Sequence, residues 1–371
     1  MTMRASPDVF VIGGGPAGLA AAIAAAQKGM SVTVADIAEP PIDKACGEGL
    51  MPDSLHALSS LGVVLDRFDH ASFRGIRFLG ENDSVEAKFS RGVGIGIRRT
   101  ILHDVMVERA RDLGIRLLWR ARVRGVEKDA VHVNGEYVRC RWIVGADGQN
   151  SRVRAWAGLA NGRNYERRVG LRQHFRIQPW SDFVEIYWGE SGQAYVTPIA
   201  SNEICVALIS RRRFPSFDEG LAPFPALRSR LHHGFASSDA KGAVTITRRL
   251  RSVVRGNLIL VGEASGSADA ITGEGLAISF RQASALGEAL AGDDLSHYCS
   301  AHRETARLPH LLGRSMLLMD KYPWLRSHAL HAFARRPGLF ARLLAVHVGE
   351  ITPSQFGIGG LLRLGWGLLS A

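Results

Sequence analysis

Residues 9–36, VFVIGGGPAGLAAAIAAAQKGMSVTVAD, admit very few folds. The stretch 9–26 is uncharged, apolar and long enough to span a bilayer. Three consecutive glycines and a proline interrupt it after four apolar residues, so a continuous helix is not the reading. The pattern instead predicts a buried strand (9–12), a glycine turn (13–18), an alanine-rich helix to about Lys28 closed by Gly29, and a second strand (32–36). In this βαβ unit Gly13, Gly15 and Gly18 supply the tight turn, the close backbone approach to a pyrophosphate and the close helix–strand packing. The helix N-terminus faces the phosphates, and Asp36 ends the second strand where an acid accepts ribose hydroxyls.

The chain has 371 residues, 46% hydrophobic and 22% charged, an ordinary globular balance. Its four cysteines, Cys46, Cys140, Cys205 and Cys299, form no CxxC pair and no cluster with histidine at metal spacing. No disulfide framework and no metal site is expected, and a reducing, cytoplasmic compartment fits. MTMRASPD runs straight into the first strand, with no signal-peptide pattern. The net charge of +11 comes mostly from arginine. It suits a solvated basic surface or an anionic partner: a phosphate-bearing cofactor, an acidic electron donor or an anionic membrane surface. No nucleic acid is expected, because no basic stripe with stacking aromatics appears.

Downstream, 50–62 is expected as a helix, with Pro52 at its start and Gly62 at its end. The segment 100–114 is amphipathic, with Leu102, Met106, Ala110 and Leu113 on one side, and Asn134-Gly135 marks a hairpin. From about 166 to 249, strands joined by short polar turns predict an antiparallel sheet, with a helix near 223–235. Residues 258–290 return to strand, glycine loop and helix, and the chain is mostly helical from 294. The fold class is α/β (α+β overall). A discontinuous nucleotide-binding domain (1–75, 92–165 and 250–300) encloses a β-sheet substrate domain (76–91 and 166–249), and a helical region (301–371) follows.

Three motifs stand in order: GGGPAG, VGADGQNSRVR (144–154) and VGEASGSADAITGEGLAISF (261–280). Over roughly residues 8–290 this trio resembles the FAD-dependent superfamily of para-hydroxybenzoate hydroxylase-type enzymes and geranylgeranyl reductases. The resemblance implies a Rossmann-like domain binding FAD non-covalently. It assigns Asp147 to the pyrophosphate side and Glu263, where the family usually has aspartate, to the ribitol chain. Gly273 and Gly275 lie along the isoalloxazine, and Arg99 lies on the pyrophosphate, with Arg98 as the alternative. ADAITGEG aligns with the DPLTGEG-type loop of the reductases, although Ala270 replaces its proline. KACGEG (44–49) resembles their CGGG-type loop, which carries a cysteine near the flavin. Their YxWxFP strand is QAYVTPI (193–199) here, with Tyr195 where tryptophan belongs.

The resemblance implies an FAD-dependent oxidoreductase acting on an apolar polyprenyl, lipid or polyketide-like substrate. Double-bond reduction is favoured, and a flavin monooxygenase working through a flavin hydroperoxide is the alternative. A cofactor-free lipid-binding chaperone is the remote third reading. No second dinucleotide unit is evident, so NAD(P)H binds transiently or a donor protein supplies electrons. Cys46 is either a catalytic thiol beside the flavin or an inert packing residue. Strand alternation places Tyr187 with Phe183 and Glu185, and Tyr195 with Thr197 and Ile199. Tyr187, Tyr195 and Thr197 are the substrate-wall candidates. His174 is a proton donor or a polar sheet residue. The apolar tail 356–371, too short to span a bilayer, is a candidate for peripheral membrane contact or for closing a tunnel.

Overall fold

The computed structural model describes residues 6–80, 83–190 and 192–357. Most of the apolar tail, residues 358–371, lies outside this range. Among the described residues no helix is long and apolar enough to cross a membrane.

The first βαβ unit forms as the pattern predicts. Strand Val9–Ile12 pairs in parallel with Val32–Ala35 on one side and with Trp142–Gly145 on the other. Arg116–Leu118 and Leu258–Leu260 extend the parallel sheet, and Val254–Arg255 adds an antiparallel edge. All four residues of Val9–Ile12 are buried, because helices cover both faces of such a sheet. Helix Pro16–Gln27 carries proline in its first turn, where the missing N–H is harmless, and packs against helix Gly275–Ala291. Sequence-distant segments therefore meet over one core.

A sheet of nine strands among the described residues stands beside this unit. Gly162–Arg176, Val184–Trp188, Gly192–Ala200, Glu203–Ser210 and Lys241–Leu250 pair antiparallel, as the short turns require. The sheet is not purely antiparallel. Gly75–Leu79 joins Val184–Trp188 in parallel, which becomes available when the two strands are separated by a long excursion rather than a hairpin. The helix expected near 223–235 is two shorter ones, Phe217–Leu221 and Pro225–Leu231. Pro225 explains the break, since it starts a helix but cannot continue one. The hairpin turns at Asn134-Gly135, with φ of 51° and 90°.

Helices Leu295–Lys321, Pro323–Arg335 and Pro337–His347 follow. Met316, Leu317 and Met319 of the first pack on Ile186, Trp188 and Tyr195 of the large sheet. Leu330, Phe333 and Phe340 of the other two pack on Phe73, Val85 and Phe89.

Candidate active site

The glycine loop is built by contact as much as by conformation. Gly13 has a φ of +112°, and a Cβ there would lie 2.4 Å from the Ala146 carbonyl oxygen. A Cβ on Gly18 would lie 1.8 Å from the Gly13 oxygen. A Cβ on Gly15 meets nothing within 4 Å, yet Gly15 lines the main cavity. Two of the glycines thus serve the fold, and the third keeps a path clear. Asp36 accepts hydrogen bonds from the Gly14 N–H at 2.6 Å and the Ala38 N–H at 2.8 Å. His103, wholly buried on helix Arg99–Asp112, donates from Nε2 to the Gly14 carbonyl oxygen at 2.8 Å. Burial holds its pKa below the usual histidine value, so the ring stays an uncharged brace under the loop. Sequence reasoning passed over His103; its signal was a polar residue on the apolar side of an amphipathic helix.

The cavity, about 590 Å³, joins three groups of residues. Gly15, Arg99 and Asp147 form a polar group. Lys44, Cys46 and Glu263 form a second, and Ile186, Tyr195, Thr197 and Ile209 form an apolar wall. Arg99 Nε and Asp147 Oδ1 are buried without a partner, while Asp147 Oδ2 accepts from the N–H groups of Arg152 and Val153 at 2.7 and 3.1 Å. A pyrophosphate and its ribose would satisfy atoms of this kind, so the residues fit FAD. Arg98 is already engaged, paired with Glu203 at 2.6 Å, and does not line the cavity. Arg99→Ala is expected to weaken FAD binding by about 1.5–3 kcal/mol through one lost charge-assisted contact. Flavin titration of the apoprotein reads this, and an unchanged affinity would remove Arg99 from the phosphate site.

Glu263 is ion-paired with Lys44, which comes from the Cys46 loop. The pair joins the KACGEG loop to the third motif at the cavity wall. The loop that lacks the family proline is held by polar contacts instead. Asp269 Oδ1 caps the turn Ala270–Thr272 by accepting the Ile271 N–H at 3.0 Å. The same carboxylate receives Arg168, which is fully buried, and the Thr247 hydroxyl. Gly273 and Gly275 line the cavity, whereas the Glu274 side chain turns away toward Arg281, Asp53 and His347. Burial pushes Glu274 up to about 8 and His347 down to about 4. This largely buried cluster braces the loop from behind and ties it to helix Pro337–His347.

Cys46 lies half-buried in the cavity wall, and the Glu48 N–H points at its sulfur at 3.4 Å. Glu48, not singled out from sequence, has a φ of +59° and a buried carboxylate. Its Oε1 accepts the Arg99 N–H at 3.0 Å, and Oε2 lies 2.7 Å from His174 Nε2. His174 Nδ1 faces Arg172 Nη1 at 3.2 Å. A guanidinium only donates, so Nδ1 accepts and Nε2 carries the proton given to Glu48. His174 is therefore an internal polar link rather than a cavity-facing donor. Glu48, His174 and Cys205 approach one another within 4.8 Å, but Arg172 stands against the first two, and a cation there would meet its charge.

Of the three wall candidates, Tyr195 and Thr197 line the cavity, and Tyr195 donates to the Ile271 carbonyl oxygen at 2.8 Å. Tyr187 does not. Alternation along Val184–Trp188 puts it on the opposite face, where its hydroxyl donates to the buried Glu185 at 2.7 Å.

Among curated relatives, a menaquinone reductase of Mycobacterium tuberculosis is 28% identical over 328 residues, covering 80% of this chain and 79% of its own. A digeranylgeranylglycerophospholipid reductase of Methanococcoides burtonii is 26% identical over 324 residues, covering 79% and 78%. A flavoprotein/dehydrogenase from Cytophaga hutchinsonii superposes with a TM-score of 0.85 at 15% identity over 98% of both chains, which shows the shared fold. The pattern of the FAD binding domain family matches residues 6–293, and the chain belongs to that family as an FAD-dependent oxidoreductase.

Proposed function

We propose that this protein reduces a carbon–carbon double bond in an apolar, isoprenoid-like substrate, with electrons supplied by NAD(P)H or a donor protein. One observation carries the reading: a single cavity runs from the glycine loop past the Cys46 thiol to an apolar sheet face. When bound and reduced, FAD supplies hydride chemistry. The chain's own residues position and enclose the reactants. Gly15, Arg99 and Asp147 hold the phosphate and ribose parts, with Glu263 near the ribitol. Ile186, Ile209 and Val184 give an elongated apolar substrate a surface that excludes water. Cys46 holds a proton at Sγ beside the site of reduction. The kinship with reductases of isoprenoid-bearing quinones and lipids supports the substrate class.

The test incubates the flavin-loaded protein with a chemical reductant and a menaquinone under anaerobic conditions, then with oxygen. Product whose isoprenoid chain keeps two added hydrogens after reoxidation of the quinone ring, formed without oxygen and only when the protein is present, is expected. Product that forms only with oxygen and gains an oxygen atom would establish the monooxygenase instead. Within the reductase reading, Cys46→Ser is expected to keep FAD and near-native stability while lowering turnover by at least about tenfold, roughly 1.4 kcal/mol in the barrier. Turnover equal to wild type would assign Cys46 to packing.

A further inference from the structure

Helix Leu295–Lys321 has two unlike faces. Its inner residues Met316, Leu317 and Met319 pack with Ile186, Trp188 and Tyr195, so this helix borders the cavity on the same face of the sheet. Its outer face carries Leu311, Arg314, Leu318 and Lys321, spaced three or four residues apart and therefore on one stripe. Tyr322 and Trp324 follow in the chain just past the helix end. Leu311 and Trp324 are 61% and 62% exposed, and Leu318 and Tyr322 are also open to solvent. Lys321 lies over the Tyr322 ring at 5.2 Å. Large apolar side chains are this open at few other places among the described residues, and here they fall within fourteen residues, interleaved with cations. Glu304, the exposed acid of this helix, lies nearly two turns before Leu311.

We propose that the stripe from Leu311 to Trp324 docks on a membrane surface that carries anionic lipid. Leucines insert among acyl chains, tyrosine and tryptophan sit at the headgroup level, and Arg314 and Lys321 meet lipid phosphates. Apolar and aromatic side chains interleaved with the cations Arg314 and Lys321 match the chemistry of an anionic bilayer interface. The docking of the stripe does not depend on which reaction the cavity performs.

Co-sedimentation of the full-length flavin-bound protein with vesicles tests the proposal. Vesicles of phosphatidylcholine alone are compared with vesicles containing about one third phosphatidylglycerol. Wild type is expected to bind the anionic vesicles clearly and the neutral ones weakly. Leu318→Ser with Trp324→Ser is expected to lower anionic binding by roughly tenfold or more. Arg314→Glu with Lys321→Glu is expected to abolish the preference for anionic lipid. Retained flavin absorbance shows that each variant is folded. Three results overturn the proposal: no wild-type binding, equal binding to both vesicles, or full binding by both double variants, which would move the contact to another surface. Absence of vesicle binding together with capture by an acidic redox protein would assign the stripe to that partner. Partition is read without turnover, so it can fail while the reductase reading stands.

Discussion

Gly15→Val is expected to give a folded protein that purifies without flavin. The two halves of that outcome have separate causes. A Cβ at Gly15 meets no protein atom within 4 Å, and its φ is not in the left-handed region, so the fold tolerates a side chain. The branched side chain instead projects into the cavity at the helix N-terminus, where a pyrophosphate must approach the backbone N–H groups. Blocking that approach is expected to weaken FAD by at least about a hundredfold, roughly 2.7 kcal/mol. Gly18→Ala is the contrasting control. Its Cβ would overlap the Gly13 carbonyl oxygen, so the sheet and the first helix must separate and the protein loses stability whether or not flavin is present. Flavin absorbance per protein and the urea midpoint of the apoprotein distinguish the two variants. A Gly15→Val protein with full flavin would place the phosphates elsewhere. A Gly15→Val protein that fails to fold would show that the loop, not the ligand, demands glycine.

The βαβ unit was legible because its constraints are local. Four apolar residues, three spaced glycines and an acid after the second strand lie within one short piece of chain and determine the turn, although Ala146 and His103 pack against it from afar. Asn134-Gly135 was legible for the same reason. The assignment of Tyr187 failed through a different kind of information. Alternation separates Tyr187 from Ile186, but it cannot say which face of a sheet turns toward a cavity formed by other, sequence-distant segments. Tyr195 and Thr197 share a face, so they stood or fell together; Tyr187 is placed by the packing of its face with Phe217, Leu221 and Leu227.

The braces of the site were less visible than its contact residues. His103, Asp269 and Arg168 touch the glycine loop or the Ala270–Thr272 turn from inside the protein. His103 and Arg168 stand outside the quoted motifs with partners distant in sequence, whereas Asp269 lies inside ADAITGEG and accepts from Ile271 two residues on. Ala270 shows the cost of reading a motif without its surroundings. The family proline is absent, yet the Asp269 cap and the buried Arg168 hold the loop as a proline ring would.

Glu48 is the residue on which this lesson has the largest measurable consequence. The family loop has glycine where KACGEG has glutamate, and the structure keeps the left-handed backbone a glycine would favour, with φ at +59°. That conformation costs a non-glycine residue about 1–2 kcal/mol. The carboxylate offsets it by holding the Arg99 N–H and His174 Nε2 and by standing 3.9 Å from the buried Arg172. Glu48→Ala keeps the strained backbone and leaves those groups buried without their acceptor, so unfolding is expected to become easier by about 3–5 kcal/mol. Glu48→Gly loses the same carboxylate but relieves the backbone. Part of that gain is cancelled by the greater freedom of glycine in the unfolded chain, so it is expected to recover only about 0.5–1 kcal/mol. Glu48→Gln retains an acceptor for His174 but turns an amide donor toward other donors, and is expected to fall between alanine and wild type. Urea unfolding of the three apoproteins, followed by tryptophan fluorescence, gives the order. Alanine and glycine variants of equal stability would show that φ at this position carries no strain. A Glu48→Ala protein as stable as wild type would show that the Glu48–His174–Arg172 network does not hold the Cys46 loop in place.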